Sequence, residues 1–377
     1  MKISGGLLLL LCLCQACQNA PSIPNPFNEK VKGLVFTGPG RGPLQDQMFS
    51  SMAEVGANYV AVVPEATVYR QNLKLLHDFE NQWYGERKEG VLEGISRARQ
   101  QGLRIMLKPH LVVSWDMNGW SRPELNVEDS LSRVSYALSA RAFMATQKSK
   151  IEGNSSWRGE LMTTNDDDWQ VFAKGYTEYI LDYARLADSL NVELFCIGTE
   201  MKRTALEKPE FWRKLIGEVR AVYNGPITYA ANWDSYNSIT FWDDLDFIGV
   251  DAYFPISDKQ NPPEEELIEA WTGHQKSLEA LVSRFKRPVL LTEWGYEDED
   301  FVGREPWVMG RFQNSVSKPN YEAQEMAYRS MFETVWDEPW VAGVFVWRWS
   351  PQARPAPVPT YSPRQKPAAE VLKRYFK

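Results

Sequence analysis

Eight short apolar runs, separated by segments whose apolar residues recur at helical spacing, limit the fold of this 377-residue chain more than any other feature. The first run is Lys32–Gly38, and the last, VAGVFVWRW, ends at Trp349. Each run is continuous rather than alternating, as expected for strands that are buried on both faces. Strands that alternate with helices form parallel sheets, and eight such units close into a barrel. The sequence therefore predicts a single-domain α/β fold, a (β/α)8 barrel of the TIM type.

A long insertion is predicted after the third strand. The segment Leu111–Asp168 exceeds the usual length of a connection between a strand and a helix. A helix is predicted near Val134–Thr146, and Trp115 and Trp120 precede it. Because loops at this end of a barrel surround the ligand site, we expect the insertion to narrow one end of a cleft.

Charge and composition restrict the partners. The net charge of −7 leaves no broad basic surface, so no nucleic-acid partner is expected. Aromatic residues make up 13% of the chain, including 15 tryptophans, and flat aromatic faces suit both a core and the apolar faces of sugar rings.

The N-terminus has the pattern of a targeting segment. Lys2 precedes the apolar stretch Gly5–Leu13, which is too short to span a bilayer as an ordinary helix, and small Ala16 precedes Cys17. This resembles a bacterial lipoprotein signal that is cleaved before Cys17, the residue that would carry the lipid; a plain secretory signal is the alternative. The expected location is the bacterial cell envelope, either lipid-anchored in the membrane or periplasmic.

The predicted organisation is a signal peptide at 1–16, a Pro/Asn-rich tether at 17–31 and the barrel domain at 32–377. Of the four cysteines, only Cys196 falls within the barrel, so the sequence excludes an intrachain disulfide and a cysteine metal site there. The chain has three scattered histidines and no HExxH-like pair, so we expect no metal and no cofactor. The oligomeric state is not indicated.

Polar and aromatic residues follow the strands at the end of a barrel where catalytic groups lie. They are Lys108-Pro109-His110, Thr199-Glu200, Asn232-Trp233-Asp234, Asp251-Ala252-Tyr253, Thr292-Glu293-Trp294 and Trp347-Arg348-Trp349.

Glu200 and Glu293 end the fourth and seventh strands and form a candidate catalytic pair. Hydrolysis of a glycosidic bond uses two carboxyl groups, about 5–5.5 Å apart for retention of configuration and about 6.5–9.5 Å apart for inversion. Either glutamate alone could be a buried salt-bridge residue, but their joint placement favours catalysis.

The chain resembles glycoside hydrolase family 113, within the clan of (β/α)8 retaining glycosidases. The residues that carry the resemblance are LKPH (Leu107–His110), WRGEL (Trp157–Leu161), IGTEM (Ile197–Met201), TYAANWD (Thr228–Asp234), IGVDAYFP (Ile248–Pro255), TEWGY (Thr292–Tyr296) and VFVWRW (Val344–Trp349). The resemblance implies a β-1,4-mannanase whose partner is an oligo- or polysaccharide.

The resemblance also implies roles for individual residues. Glu200 would be the acid/base and Glu293 the nucleophile. Tyr253 would hydrogen-bond the nucleophile, and Trp347, often followed by a non-proline cis peptide in this clan, would lie under the sugar. The other predicted substrate-binding residues are His110, Trp157, Arg158, Thr199, Asn232, Asp251 and Trp294.

Several of these assignments have alternatives. His110 could be a core histidine, Arg158 could pair with Glu160, Asp251 could be a buried hydrogen-bonding centre, and Trp294 could pack in the core. Many relatives in the clan have Asn where this chain has Thr199, which leaves the choice between mannose and glucose open.

Two other functions compete with the mannanase. The first is the same retaining mechanism on another β-linked glycan. The second is a non-catalytic glycan-binding lipoprotein, which the presence of both glutamates and Tyr253 opposes. If the insertion narrows the cleft, short oligosaccharides or chain ends would be favoured over long polymers.

Overall fold

The computed structural model describes residues 23, 25–37, 43–80, 82–116, 130–308, 318–350 and 358–377. Eight parallel strands close into a barrel, with β8 returning to pair with β1, which confirms the predicted fold. The strands are β1 (Val31–Phe36), β2 (Tyr59–Val62), β3 (Arg104–Leu107), β4 (Leu194–Thr199), β5 (Ile227–Asn232), β6 (Ile248–Asp251), β7 (Val289–Trp294) and β8 (Val341–Val346).

Helices surround the barrel. They are α1 (Asp46–Glu54), α2 (Lys88–Gln100), α3 (Ser130–Thr146), α4 (Asp166–Ser189), α5 (Lys202–Glu207), α6 (Pro209–Arg220), α7 (Glu264–Phe285), α8 (Tyr321–Met331) and α9 (Pro367–Phe376). Helix α8 continues into a π-helical turn at Phe332–Trp336, and α3 confirms the helix predicted within the insertion. None of the helices in the described part of the chain combines the length and apolarity needed to cross a bilayer.

The strands separate two apolar layers because successive side chains point to opposite faces. The barrel interior is small and contains Tyr59, Met106, Cys196 and Phe345. At Gly33 a Cβ would overlap the Phe345 ring, so this glycine lets the ring fill the interior. The larger layer lies between strands and helices, where fully buried aromatic side chains from α4, α6 and α7 pack on the outer face of the barrel.

A small second sheet, which the sequence reading did not predict, extends from the barrel mouth. Its strand Glu65–Tyr69 pairs in parallel with His110–Ser114 and antiparallel with Leu75–Leu76. The first four residues of the predicted insertion are therefore a strand rather than a loop. Glu65–Tyr69 and Leu75–Leu76 form a hairpin, but 33 residues separate Leu76 from the third strand. All three strands are short, so the sequence near each of them indicates little about which strands pair.

Some predicted features lie outside the described residues: the signal peptide, Cys17 and Trp120. Trp115 is described, and the Arg70 guanidinium lies 5.6 Å from the centre of its ring.

Candidate active site

Glu200 is placed by an irregularity in β4. The register with β5 shifts by one residue between Cys196 and Thr199, as in a β-bulge. Before the shift, Cys196 faces the barrel interior and Ile197 faces the helices. Glu200 then adopts a left-handed backbone conformation with φ of 51°, and its side chain reaches the cleft at the barrel mouth.

Glu293 is placed by a similar shift in β7, between Leu291 and Trp294. Because a one-residue shift reverses the faces of a strand, Glu293 points into the cleft and Trp294 points outward. The prediction that Trp294 lines the cleft is therefore wrong. Its indole is fully buried, with ring centres 4.5 Å from Tyr328 and 5.7 Å from Phe332.

Three side chains surround the Glu293 carboxylate. The Lys108 ammonium donates to Oε1, and the Tyr253 hydroxyl donates to Oε2 at 2.7 Å. Nε2 of His110 lies 3.4 Å from Oε1. Burial alone would raise the pKa of Glu293, but Lys108 and then His110 outweigh it and hold that pKa well below its ordinary value. Glu293 is thereby kept ionised.

Lys108 also contacts a second carboxyl group. Its Nζ lies 3.2 Å from Oδ1 of Asp251, which also accepts a 2.8 Å hydrogen bond from Thr292. Asp251 is fully buried and does not line the cleft, so it is a buried hydrogen-bonding centre and the prediction that it contacts substrate is wrong. Burial, and then the charge of Glu293, raises the pKa of Asp251 well above its usual value.

Glu200 has a different environment. Its Oε2 accepts from Nη2 of Arg158 at 3.2 Å and from the Trp157 indole at 3.5 Å. Arg158 thus pairs with Glu200, whereas the alternative expectation was Glu160. Burial raises the pKa of Glu200; the charge of Glu293 adds to this rise and Arg158 opposes it.

Arg70 fixes the segment that carries Trp157 and Arg158. Its guanidinium, 2% exposed, donates to the carbonyl oxygens of Ile151 at 3.3 Å and Gly153 at 3.0 Å, and also to that of Ser155. A buried arginine that binds carbonyls of an irregular segment satisfies backbone groups that have no strand partner. The long insertion is therefore ordered where it reaches the cleft.

The cleft has a volume of about 480 Å³. The predicted residues that line it are Trp157, Arg158, Glu200, Asn232, Tyr253, Glu293 and Trp347. Trp233 and Asp234, which the sequence placed at the end of the fifth strand without a role, also line it, and so do Trp307 and Tyr361, which the sequence did not indicate.

Thr199 lies outside this lining, at 1% exposure, so the prediction that it contacts substrate is wrong. The bulge leaves its hydroxyl buried within the barrel, beside the Cys196 thiol. His110 lies beneath the mouth at 5% exposure, and burial lowers the pKa of its imidazole to about 3, so the ring is neutral. Its ring is nearly parallel to that of Trp347, with centres 6.4 Å apart.

Lys108 is an important side chain that the sequence placed at the end of the third strand but to which it gave no role. A charged residue at the end of an otherwise apolar strand was the available signal, since buried lysines require anionic partners. The peptide bond between Trp347 and Arg348 is cis, as the resemblance implied.

The site contains two carboxyl groups whose surroundings shift their pKa values in opposite directions. Burial favours the protonated form of Glu200, while cationic and hydrogen-bonding neighbours favour the ionised form of Glu293. Both groups line one cleft with aromatic walls at the carboxyl end of a (β/α)8 barrel. These features define the class of glycoside hydrolases.

The chain belongs to Glycoside Hydrolase Family 113, whose family model matches residues 149–361. The match includes Glu200, Glu293 and Trp347, but not the first three strands.

Solved structures share the fold. A family 113 beta-mannanase from Alicyclobacillus acidocaldarius is 20% identical, with a TM-score of 0.72 over 94% of this chain and 99% of that chain. A second family 113 beta-1,4-mannanase is 23% identical, with a TM-score of 0.68 over 92% and 99%. A beta-glucuronidase from Faecalibacterium prausnitzii is 13% identical, with a TM-score of 0.54 over 92% of this chain and 49% of that chain. No curated protein sequence matches the chain.

Proposed function

We propose that this glycoside hydrolase acts on β-1,4-mannan or manno-oligosaccharides with retention of configuration. Glu293 is the nucleophile and Glu200 is the acid/base. The observation that carries the assignment is the contrast between the two carboxyl groups, because a nucleophile must be ionised and an acid must hold its proton.

In the first step, an oxygen of Glu293 bonds to the anomeric carbon while the glycosidic C–O bond breaks. Glu200 transfers its proton to the departing oxygen, and a glycosyl ester of Glu293 remains. Lys108 and Tyr253 hold Glu293 in place and ionised before this attack. In the second step, Glu200 removes a proton from water, which attacks the anomeric carbon and releases Glu293 as a carboxylate.

The mannan assignment is supported by the family and by the two mannanase structures with the same fold. Trp347 offers the apolar surface for the sugar that bonds to Glu293, since it lines the cleft and follows β8, the strand adjacent to β7. Asn232, whose side-chain amide donates to Asp234 at 2.7 Å, adds a polar group to the cleft lining after β5.

Azide rescue distinguishes the two roles in the full-length protein. An aryl β-mannobioside with a good leaving group would be given to Glu200→Ala and Glu293→Ala, with Glu160→Gln as an exposed control near the cleft. We expect azide to restore turnover in both variants, giving the β-azide with Glu200→Ala and the α-azide with Glu293→Ala. The reverse pattern of products would exchange the roles.

Substrate choice is tested by product release from manno-, gluco- and xylo-oligosaccharides. Cleavage of the manno-series, with the β-anomer formed first, is the expected result. Cleavage of another series alone would overturn the mannan assignment while keeping the mechanism. Binding without cleavage of any series would overturn both and indicate a glycan-binding protein.

A further inference from the structure

Two tryptophans from different loops stack at the edge of the cleft. Trp233 follows β5 and Trp307 belongs to the segment after β7, and their ring centres are 4.5 Å apart with planes 24° from parallel. Both line the cleft with the catalytic carboxyl groups. Trp307 is 38% exposed, so part of its indole is available to a ligand in the cleft.

The segment that carries Trp307 is fixed at several points. The backbone N–H of Ile256 donates to Gly303 at 3.0 Å, and that of Phe301 donates to Gln260 at 2.9 Å. The hydroxyl of Tyr361, itself a cleft residue, donates to the carbonyl of Pro306, directly before Trp307. The exposed indole is therefore held by its backbone, as expected for a preorganised binding surface.

The barrel topology relates this stack to the acid/base. Strand β5 neighbours β4, and the backbone N–H of Glu200 donates to Ala230 of β5 at 2.7 Å. Trp347 follows β8 on the other side of β7, where its N–H donates to Trp294 at 2.8 Å. The cleft thus has one aromatic surface after the strand next to Glu200 and another after the strand next to Glu293.

We propose that Trp233 and Trp307 form the binding platform for the leaving-group sugar, the residue released when the glycosidic bond breaks. The inference rests on the proposed function, because an acid must lie beside the oxygen it protonates and hence on the leaving-group side. A sugar ring would place an apolar face on the exposed indole of Trp307, and Trp233 would support that indole from behind. The same surface would hold an acceptor sugar during transfer of the glycosyl group.

The test compares two substrates that transfer the same mannobiosyl group to Glu293 but have different leaving groups. Mannotetraose leaves a sugar on the platform, whereas β-mannobiosyl fluoride has a single-atom leaving group. For the full-length Trp307→Ala variant we expect kcat/KM to fall about tenfold to a hundredfold with mannotetraose, the loss that corresponds to burying one large apolar side chain. With the fluoride, the expected change is about twofold or less.

Trp307→Phe keeps an aromatic face and should recover much of the activity on mannotetraose. Trp83→Ala, which removes a tryptophan that is 57% exposed and absent from the cleft lining, is the matched control. Equal losses with both substrates would overturn the proposal, since they would indicate a donor-side or folding role. No loss with either substrate would overturn it as well.

A failed substrate assignment gives a different result, because the wild-type protein would then cleave neither mannoside. The comparison would be repeated with the glycan series that the wild type does cleave. If it cleaves none, calorimetric titration of Glu293→Gln and Glu293→Gln/Trp307→Ala with the oligosaccharide panel replaces kinetics. Equal affinities of the two proteins would overturn the platform.

Discussion

Lys108 places one positive charge between two buried carboxyl groups. The side chains of Lys108 and Asp251 are 0% exposed and that of Glu293 is 4% exposed, so solvent screens these charges weakly. Although burial disfavours its charged form, the two acids raise the pKa of Lys108 above its ordinary value. The ammonium therefore serves as the fixed cation that keeps Glu293, the proposed nucleophile, ionised.

Removing this cation has a defined consequence. In Lys108→Met, burial acts on Glu293 without its main opposing charge, so the pKa of Glu293 rises and the acidic limb of kcat/KM moves to higher pH. Breaking a fully buried ion pair should also lower the free energy of unfolding by about 3–5 kcal/mol. A pH–rate profile and a denaturation curve measure the two effects.

The buried pair of Lys366 and Asp298, 3.1 Å apart, provides the control. Lys366→Met should lower stability without moving the acidic limb. An unmoved limb in folded Lys108→Met would contradict the role given to Lys108.

Arg158 is expected to set the basic limb of the pH profile. Its positive charge favours ionised Glu200 and opposes the rise in pKa that burial causes. In Arg158→Gln the pKa of Glu200 should increase further, so that Glu200 keeps its proton to higher pH and the basic limb moves upward. Arg158→Lys retains the charge and should leave the limb near its wild-type position; a downward shift in Arg158→Gln would contradict the argument.

At the scale of the elements, a shifted register beside Glu200 in β4 and another beside Glu293 in β7 decide which side chains face the cleft. The shift in β4 lies between Cys196 and Thr199, just before Glu200, and the shift in β7 lies between Leu291 and Trp294, around Glu293. Strict alternation from Leu290, which faces the interior, would point Glu293 outward and Trp294 inward. The bulge reverses this order, so the geometry of β7 explains why Glu293 reaches the cleft and why Trp294 does not.

Closure of the barrel depends on a glycine in β8. Gly343 has φ of +146° and pairs with Val31 of β1, where a Cβ would overlap the Val31 backbone. Gly343→Ala should therefore lower the free energy of unfolding by about 3 kcal/mol or more.

The matched change is Gly273→Ala in α7, where a Cβ would meet nothing within 4 Å. Because alanine favours helix, this variant should gain about 0.5–1 kcal/mol. Urea denaturation of both variants measures the difference, and equal effects would contradict the account of barrel closure.

At the scale of the whole molecule, the chain enters the barrel at the end opposite the cleft. Phe27 packs against Tyr59 and Phe247, with ring centres 5.5 and 5.2 Å apart, immediately before β1 begins at Val31. A lipid on Cys17 would thus hold the enzyme from the face that lies away from the substrate. We propose this arrangement for a lipid-anchored enzyme of the bacterial cell envelope.

The anchor is tested by membrane fractionation in a bacterial host. The full-length protein should sediment with membranes and require detergent for release, whereas Cys17→Ser should lose lipid labelling with radioactive palmitate. Cys12→Ser, a change within the same leader, should keep the label. Labelling of Cys17→Ser equal to that of wild type would exclude Cys17 as the lipidated residue.

The sequence by itself determined the barrel, the order of its strands and the placement of Glu200 and Glu293 at the ends of the fourth and seventh. These properties depend on apolar runs and on local position, which can be read along the chain. The motifs also led to Tyr253, Arg158 and Trp347 in the cleft.

Only the tertiary structure decided how these residues act on one another. Lys108 contacts both Asp251 and Glu293, which follow it in the chain by 143 and 185 positions. Trp233 stacks on Trp307 from a separate loop. The bulges are differences in register between neighbouring strands, so they have no meaning within one strand. Such features arise from contacts that exist once the barrel closes, and a pattern within one segment does not contain them.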